Sequence, residues 1–161
     1  MLVRILRGHL IGLVCLGLVP ACSSSDEVDT VYNPCAPLTI ALGPDATAAE
    51  VNGVEGAILL WSDVLPVQIT IGSGERAADV LPIHFESDVP YRAMYWDSIG
   101  VISVSRDRLE PAEYPLAIAH EMGHAFGLLH VTPEERPSVM NVGNVEIAPT
   151  PEDAAGVHAC W

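Results

Sequence analysis

Residues 120–130 read His-Glu-Met-Gly-His-Ala-Phe-Gly-Leu-Leu-His, which sets three imidazoles and one carboxylate at fixed spacings inside an apolar run. Imidazole nitrogens are good ligands for zinc, and a carboxylate beside them can act as a base toward water. On an α-helix each residue turns by about 100°, so His120 and His124 share one face and can close on one ion at about 2.0–2.1 Å. A straight helix would carry His130 roughly 15 Å along the axis from His120 and rotate it away, so the helix has to stop first. Gly127 can stop it: without a Cβ it can take the left-handed conformation that turns Leu128 and Leu129 back and delivers His130 to the metal. A lone histidine here would be a hydrogen-bonded core or surface imidazole. Three of them in the order H-E-x-x-H-x-x-G-x-x-H point instead to a catalytic zinc site, with His120, His124 and His130 as ligands and Glu121 as general base.

The pattern resembles that of the metzincin superfamily of zinc metallopeptidases, and Ser138-Val139-Met140-Asn141, eight to eleven residues past His130, resembles its Met-turn. The resemblance is strong over residues 120–140 and loose elsewhere. It implies that Met140 packs as an apolar floor under the metal without ligating it, and that an edge strand takes an extended peptide through main-chain hydrogen bonds. Val142 stands where some relatives place a tyrosine ligand, so no fifth protein ligand is expected. Three neutral imidazoles leave a single zinc ion its full charge, which lowers the pKa of a bound water toward about 7. Glu121 would take that proton and pass it to the leaving amine. A surface salt bridge is the bland reading of Glu121, but it does not explain a carboxylate beside a ligand inside an apolar helix. The expected function is therefore a zinc endopeptidase acting on a protein or peptide. Two alternatives stand beside it: a zinc-binding peptide-interaction lipoprotein without useful turnover, and an amidase acting on cell-wall peptide. The presence of Glu121 weighs against the first, and an assay on casein or gelatin against peptidoglycan fragments separates the second.

The elements that would position these residues define an α+β domain: a mixed twisted sheet over a long packing helix, a zinc-site helix, and a smaller C-terminal part with a short helix below the cleft. Residues 38–42 alternate and end at Gly43-Pro44, a first strand closed by a turn. Thr47 and Glu50 form a capping box, and Val51, Val54, Ile58, Trp61 and Leu65 recur at three- and four-residue steps, so a helix packs one stripe against the sheet. Gly53 and Gly56 would allow close approach. Residues 67–71 and 81–86 read as strands joined through Gly72-Ser73-Gly74. Pro82 favours a strand start or an edge, and His84 is a surface imidazole. Residues 92–96 and 101–105 flank Asp97-Ser98-Ile99-Gly100 as a hairpin, and by the resemblance the first of them is the substrate edge. That tight connection leaves little room for the metal-binding loop that matrix-type relatives insert there, so a structural calcium is not expected. Residues 106–114 read as a charged loop, and Pro115 suits the first turn of the zinc-site helix, whose back would be Leu116, Ala119, Met122 and Phe126. Thr150-Pro151-Glu152-Asp153 opens the last helix, expected to carry Cys160 and Trp161, with His158 structural.

With 161 residues, half of them hydrophobic, the chain has material for one core after its leader is set aside. Residues 1–21 hold Arg4 and Arg7, then an apolar run from Leu10 to Val19, which reads as a secretory signal. Val19-Pro20-Ala21-Cys22 resembles a lipobox, with Pro20 where a small residue is usual, so Cys22 is expected to carry a lipid anchor; an ordinary signal peptide cut near Cys22 is the alternative. Residues 22–34 form the anchor and a flexible tether, and residues 35–161 the catalytic domain. The protein is thus expected to be exported and held at a bacterial outer membrane or cell surface. Cys35 and Cys160 then remain, near the two ends of the domain in an oxidising compartment, and are expected to pair. The alternative, Cys35 as a latency ligand of matrix-type relatives, lacks that motif's arginine, glycine and aspartate. The net charge is −14, and loss of Arg4 and Arg7 would take it to −16. Such a surface repels phosphates, which excludes nucleic acid as a partner and leaves membrane attachment to the lipid. A monomer is expected.

Overall fold

A computed structural model describes residues 31–72, 77–144, 146–157 and 160 of the chain. The leader, Cys22, most of the tether, the turn residues Ser73 and Gly74, His158 and Trp161 lie outside the described residues. The fold is α+β, built on a five-stranded sheet in the order β2-β1-β3-β5-β4. Its strands are β1 (Leu38–Leu42), β2 (Ile69–Gly72), β3 (Val80–Glu86), β4 (Ala93–Trp96) and β5 (Val101–Ser105). β1 pairs in parallel with β2 and β3, and β3 with β5, whereas β4 runs antiparallel to β5 and forms an edge. The sheet is therefore mixed, and the expected hairpin supplies its edge.

Helix α1 (Ala48–Ser62) opens on the expected capping box: the Glu50 amide donates to Thr47 Oγ1 at 3.3 Å, and the Thr47 amide to Glu50 Oε2 at 2.7 Å. Its buried face differs from the predicted stripe. Gly53, Val54, Ala57 and Trp61 are buried, Val51 and Ile58 only partly, and Leu65 lies beyond the helix end. The reason is a second partner, α2 (Tyr114–Ala125), which crosses α1 so closely that a Cβ on Gly53 would lie 2.6 Å from the Tyr114 Cβ. Glycine is thus the side chain that lets the two helices meet.

Of the two places expected for Pro82 the edge is ruled out, since β3 is interior, and the residue stands near the strand's start. Thr39 donates to the Asp79 carbonyl, and alternation along a parallel ladder then turns the Pro82 nitrogen away from β1. On the other side the register with β5 begins only at Ile83↔Ile102, so the missing N–H leaves no gap in the paired stretch. His84 is exposed on β3, as expected.

Ile40, Leu81, Ile83, Ile102, Val104, Val54 and Trp61 are fully buried between the sheet and the helices, with Ile118, Met122 and Phe126 from α2 and its end. Each such side chain contributes about 1.5–3 kcal/mol on removal from water. The charged stretch after β5 is not simply solvated. Arg106 reaches back to the buried Glu50 at 2.6 Å and to Asp45 at 3.0 Å, tying the end of β5 to the start of α1. The six-residue α3 (Pro151–Gly156) starts at the expected Thr150 cap but ends before Cys160, which it does not carry. Cys35 and Cys160 are joined in a disulfide across 125 residues of chain. Among the described residues no helix is long and apolar enough to cross a membrane.

Candidate metal centre

α2 carries the first two histidines and the glutamate. Pro115 sits in its first turn, where a missing amide costs nothing. Ala119 and Met122 are fully buried on its back as expected, Leu116 is only partly buried, and Trp61 Nε1 donates to the Ala119 carbonyl at 3.0 Å. The helix stops where expected. Gly127 takes φ +91°, its amide donates to His124 O at 2.9 Å, and the Leu128 amide to Gly123 O at 2.9 Å. That pair of bonds is a Schellman motif, and it directs the chain back over the end of α2 toward His130.

The three imidazoles meet. His130 Nε2 lies 3.2 Å from His120 Nε2 and 3.1 Å from His124 Nε2. Ligand atoms about 2.0–2.1 Å from a tetrahedral zinc stand roughly 3.3–3.4 Å apart, so the spacing is within a few tenths of an ångström of a zinc set. The other ring nitrogens settle which atoms are bare. His120 Nδ1 is 2.6 Å from the Val139 carbonyl and His124 Nδ1 is 2.8 Å from the Leu128 carbonyl. A carbonyl only accepts, so each Nδ1 carries the proton and each Nε2 presents a lone pair to the meeting point. One N–H of His130 cannot serve two lone pairs with good geometry. A cation serves all three nitrogens, and the cluster could hold a metal ion.

Burial favours the neutral, ligating form. Desolvation lowers the His120 pKa to about 4 and holds His124 below its usual value, the Val139 and Leu128 carbonyls opposing the shift in turn. Glu121 is also buried, and desolvation pushes its pKa up to about 7 against the hydrogen bond it accepts from the Tyr95 amide at 2.7 Å. Its carboxylate is therefore pinned to the edge strand β4. Met140 is fully buried beneath α2, so tightly that a Cβ on Gly123 would collide with its sulfur.

His120, Glu121, His124 and His130 open into a cleft of about 550 Å³. Tyr95 lines one wall, and Leu129, 82 % exposed, and Val142, 73 % exposed, line the other. Val142 contributes no ligand atom. The disulfide engages Cys35, which is therefore not a free thiol that could ligate a metal.

Several working parts escaped the sequence reading. The Val139 and Leu128 carbonyls that orient two rings, and the Tyr95 amide that holds Glu121, are backbone groups, which no residue type announces. Val31 lines the cleft because the Tyr32 amide donates to Ala125 O at 2.7 Å, laying residues 31–32 along the end of α2. No family profile matches the chain, and no curated protein is detectably similar to it.

Proposed function

We propose that the protein is a zinc endopeptidase of metzincin type, exported and tethered to a membrane through Cys22, that acts as a monomer on extended protein or peptide substrates. The observation that carries this reading is the convergence of three imidazole Nε2 atoms, two of them presenting lone pairs, next to a buried carboxylate at a sheet edge. His120, His124 and His130 would hold the ion. When bound, zinc supplies a Lewis acid and lowers the pKa of water to about 7.

Glu121 handles the proton. Its carboxylate stands beside the proposed ligand His120 and is buried at the cleft, where it could take a proton from water and pass it on. The Tyr95 amide holds Oε2, which leaves Oε1 as the oxygen to face the reacting water. β4 orients the substrate. Ser105 donates to Arg92 O, and alternation in an antiparallel pair then turns the main-chain groups of Ala93 and Tyr95 away from β5, where the Tyr95 amide goes to Glu121 and the Ala93 groups and the Tyr95 carbonyl face the cleft side. An extended peptide can add there, its backbone alongside the metal site. The Cys35–Cys160 disulfide supports an oxidising compartment.

Glu121→Gln tests the reading. The amide keeps the carboxylate's size but cannot accept a proton, so zinc stays bound near one equivalent while cleavage of an unstructured protein such as casein falls by about 10²-fold or more. Parental turnover in the zinc-loaded variant removes Glu121 from the mechanism. A parent that binds zinc and peptide but cleaves neither casein nor cell-wall peptide returns the protein to a metal-bound interaction module.

A further inference from the structure

Asp153 is fully buried, and five donors converge on its carboxylate. Oδ1 accepts from Arg136 Nη1 at 2.7 Å and Ser138 Oγ at 2.5 Å. Oδ2 accepts from the Val139 amide at 3.1 Å, and from the Thr150 amide and hydroxyl at 3.0 Å each. A buried carboxylate without partners costs several kcal/mol, so a side chain so completely satisfied holds its donors in place as much as they hold it.

Capping accounts for only part of this. The two bonds to Thr150, with the return bond from the Asp153 amide to Thr150 Oγ1, complete the capping box of α3. The remaining three reach 14 to 17 residues back to Val139, Ser138 and Arg136. There the backbone of Val139 plays two parts: its N–H donates to Asp153, and its carbonyl, in the next peptide group along, accepts from His120 Nδ1. Ser138 Oγ, which donates to Asp153, accepts in turn from the Met140 amide at 2.9 Å. One carboxylate thus spans the turn that orients a metal ligand and seats the methionine beneath it.

We propose that Asp153 is a positioning residue of the metal centre, acting on His120 through the backbone of Val139 and on Met140 through Ser138. This rests on the three histidines holding a metal and is independent of peptide hydrolysis. Ligand-orienting partners of this kind are worth about 10–100-fold in metal affinity. Asp153→Asn retains the shape but offers one acceptor oxygen in place of two and faces a donor with an NH2 group. Val139 then shifts, and His120 loses its fixed orientation.

The test uses the zinc-loaded, disulfide-intact protein and two readouts: zinc affinity by chelator competition, and the imidazole N–H signals by NMR. Asp153→Asn is expected to weaken zinc binding by about 10–100-fold. It should also shift the His120 Nδ1–H signal while leaving that of His124, held by Leu128 O, in place. Thr150→Val is the control, because it removes the α3 cap hydroxyl, with its bond to Asp153 and its long contact from Arg136 Nη1, while Asp153 keeps its own bonds to Arg136, Ser138 and Val139. The proposal is overturned if Thr150→Val lowers zinc affinity as much as Asp153→Asn does at equal loss of thermal stability. It is also overturned if Asp153→Asn binds zinc like the parent with the His120 signal unmoved. Should Asp153→Asn not fold, Ser138→Ala, which removes one donor, reads the same two quantities: a smaller shift in the same direction supports the proposal, and none overturns it.

Discussion

The two sides of the cleft cohere by different means. Above it, the sheet and two helices bury Ile40, Leu81, Ile83, Ile102 and Ile118 completely, and apolar contact supplies the stability. Below it, among the described residues, the chain after Gly127 forms only the six-residue α3 and one isolated bridge, Val131↔Asn141. Side chains bonded to backbone take over there. Asn141 Nδ2 serves the carbonyls of Val131 and Arg136, Asn144 Nδ2 those of Val139 and Ile147, and Asp153 gathers five donors. Apolar burial is non-directional and proportional to area, so it stabilises a fold without specifying single atoms. Hydrogen bonds are weak net contributors but set distance and angle. The candidate metal centre takes two of its histidines from the upper side, and its third histidine and the buried Met140 come from the lower.

The disulfide gives the largest way to break this contrast, because Cys160 ends the described part of the lower region and Cys35 leads into β1. In the chain-entropy account a loop of this length is worth at most about 4–5 kcal/mol. Cys35→Ser with Cys160→Ser should therefore lower the unfolding midpoint markedly, and zinc protection of that midpoint should shrink with it. An unchanged midpoint would mean that the upper core alone sets stability. Gly123→Ala acts at the seam, forcing a methyl into the space of the Met140 sulfur. Met140 is flexible but fully buried, so the expected cost is about 1–3 kcal/mol, and zinc affinity falls as the floor shifts. Unaltered stability and affinity would show that the floor yields freely.

Acid titration compares two of the buried acids, Glu50 and Asp153, and is the mildest test. Burial raises the Glu50 and Asp153 pKa values, but Arg106 with Thr47 in one case, and Ser138, Thr150, Arg136 and Val139 in the other, outweigh it and hold both below 4.5 and 3.8 respectively. A carboxylate depressed on folding contributes stability that is complete above its unfolded pKa and is lost as pH falls through the folded value. The urea midpoint should thus hold between pH 7 and pH 5 as far as these groups decide it, and drop below about 4.5. Glu50→Gln should lower the neutral-pH midpoint and make the acid fall shallower. An acid limb as steep as the parent's would acquit Glu50.

By itself the sequence determined what depends on near neighbours. His120 and His124 share a face because four residues make one helical turn, Gly127 ends α2 because it alone there tolerates φ +91°, and Thr47 and Thr150 cap because their partners lie three residues on. The hairpin before β5 and the pairing of two cysteines at the domain ends were legible for similar reasons of spacing and compartment. Tertiary structure decided what depends on distant partners. It put Pro82 in an interior strand, turned the glycine face of α1 toward α2, paired Glu50 with Arg106 across 56 residues, and brought the Tyr95 amide to Glu121 across 26. It also chose which carbonyls orient His120 and His124. Local geometry repeats wherever the same few dihedrals repeat, whereas a long-range contact exists only once the whole core has packed, and the backbone groups that make it are common to every residue.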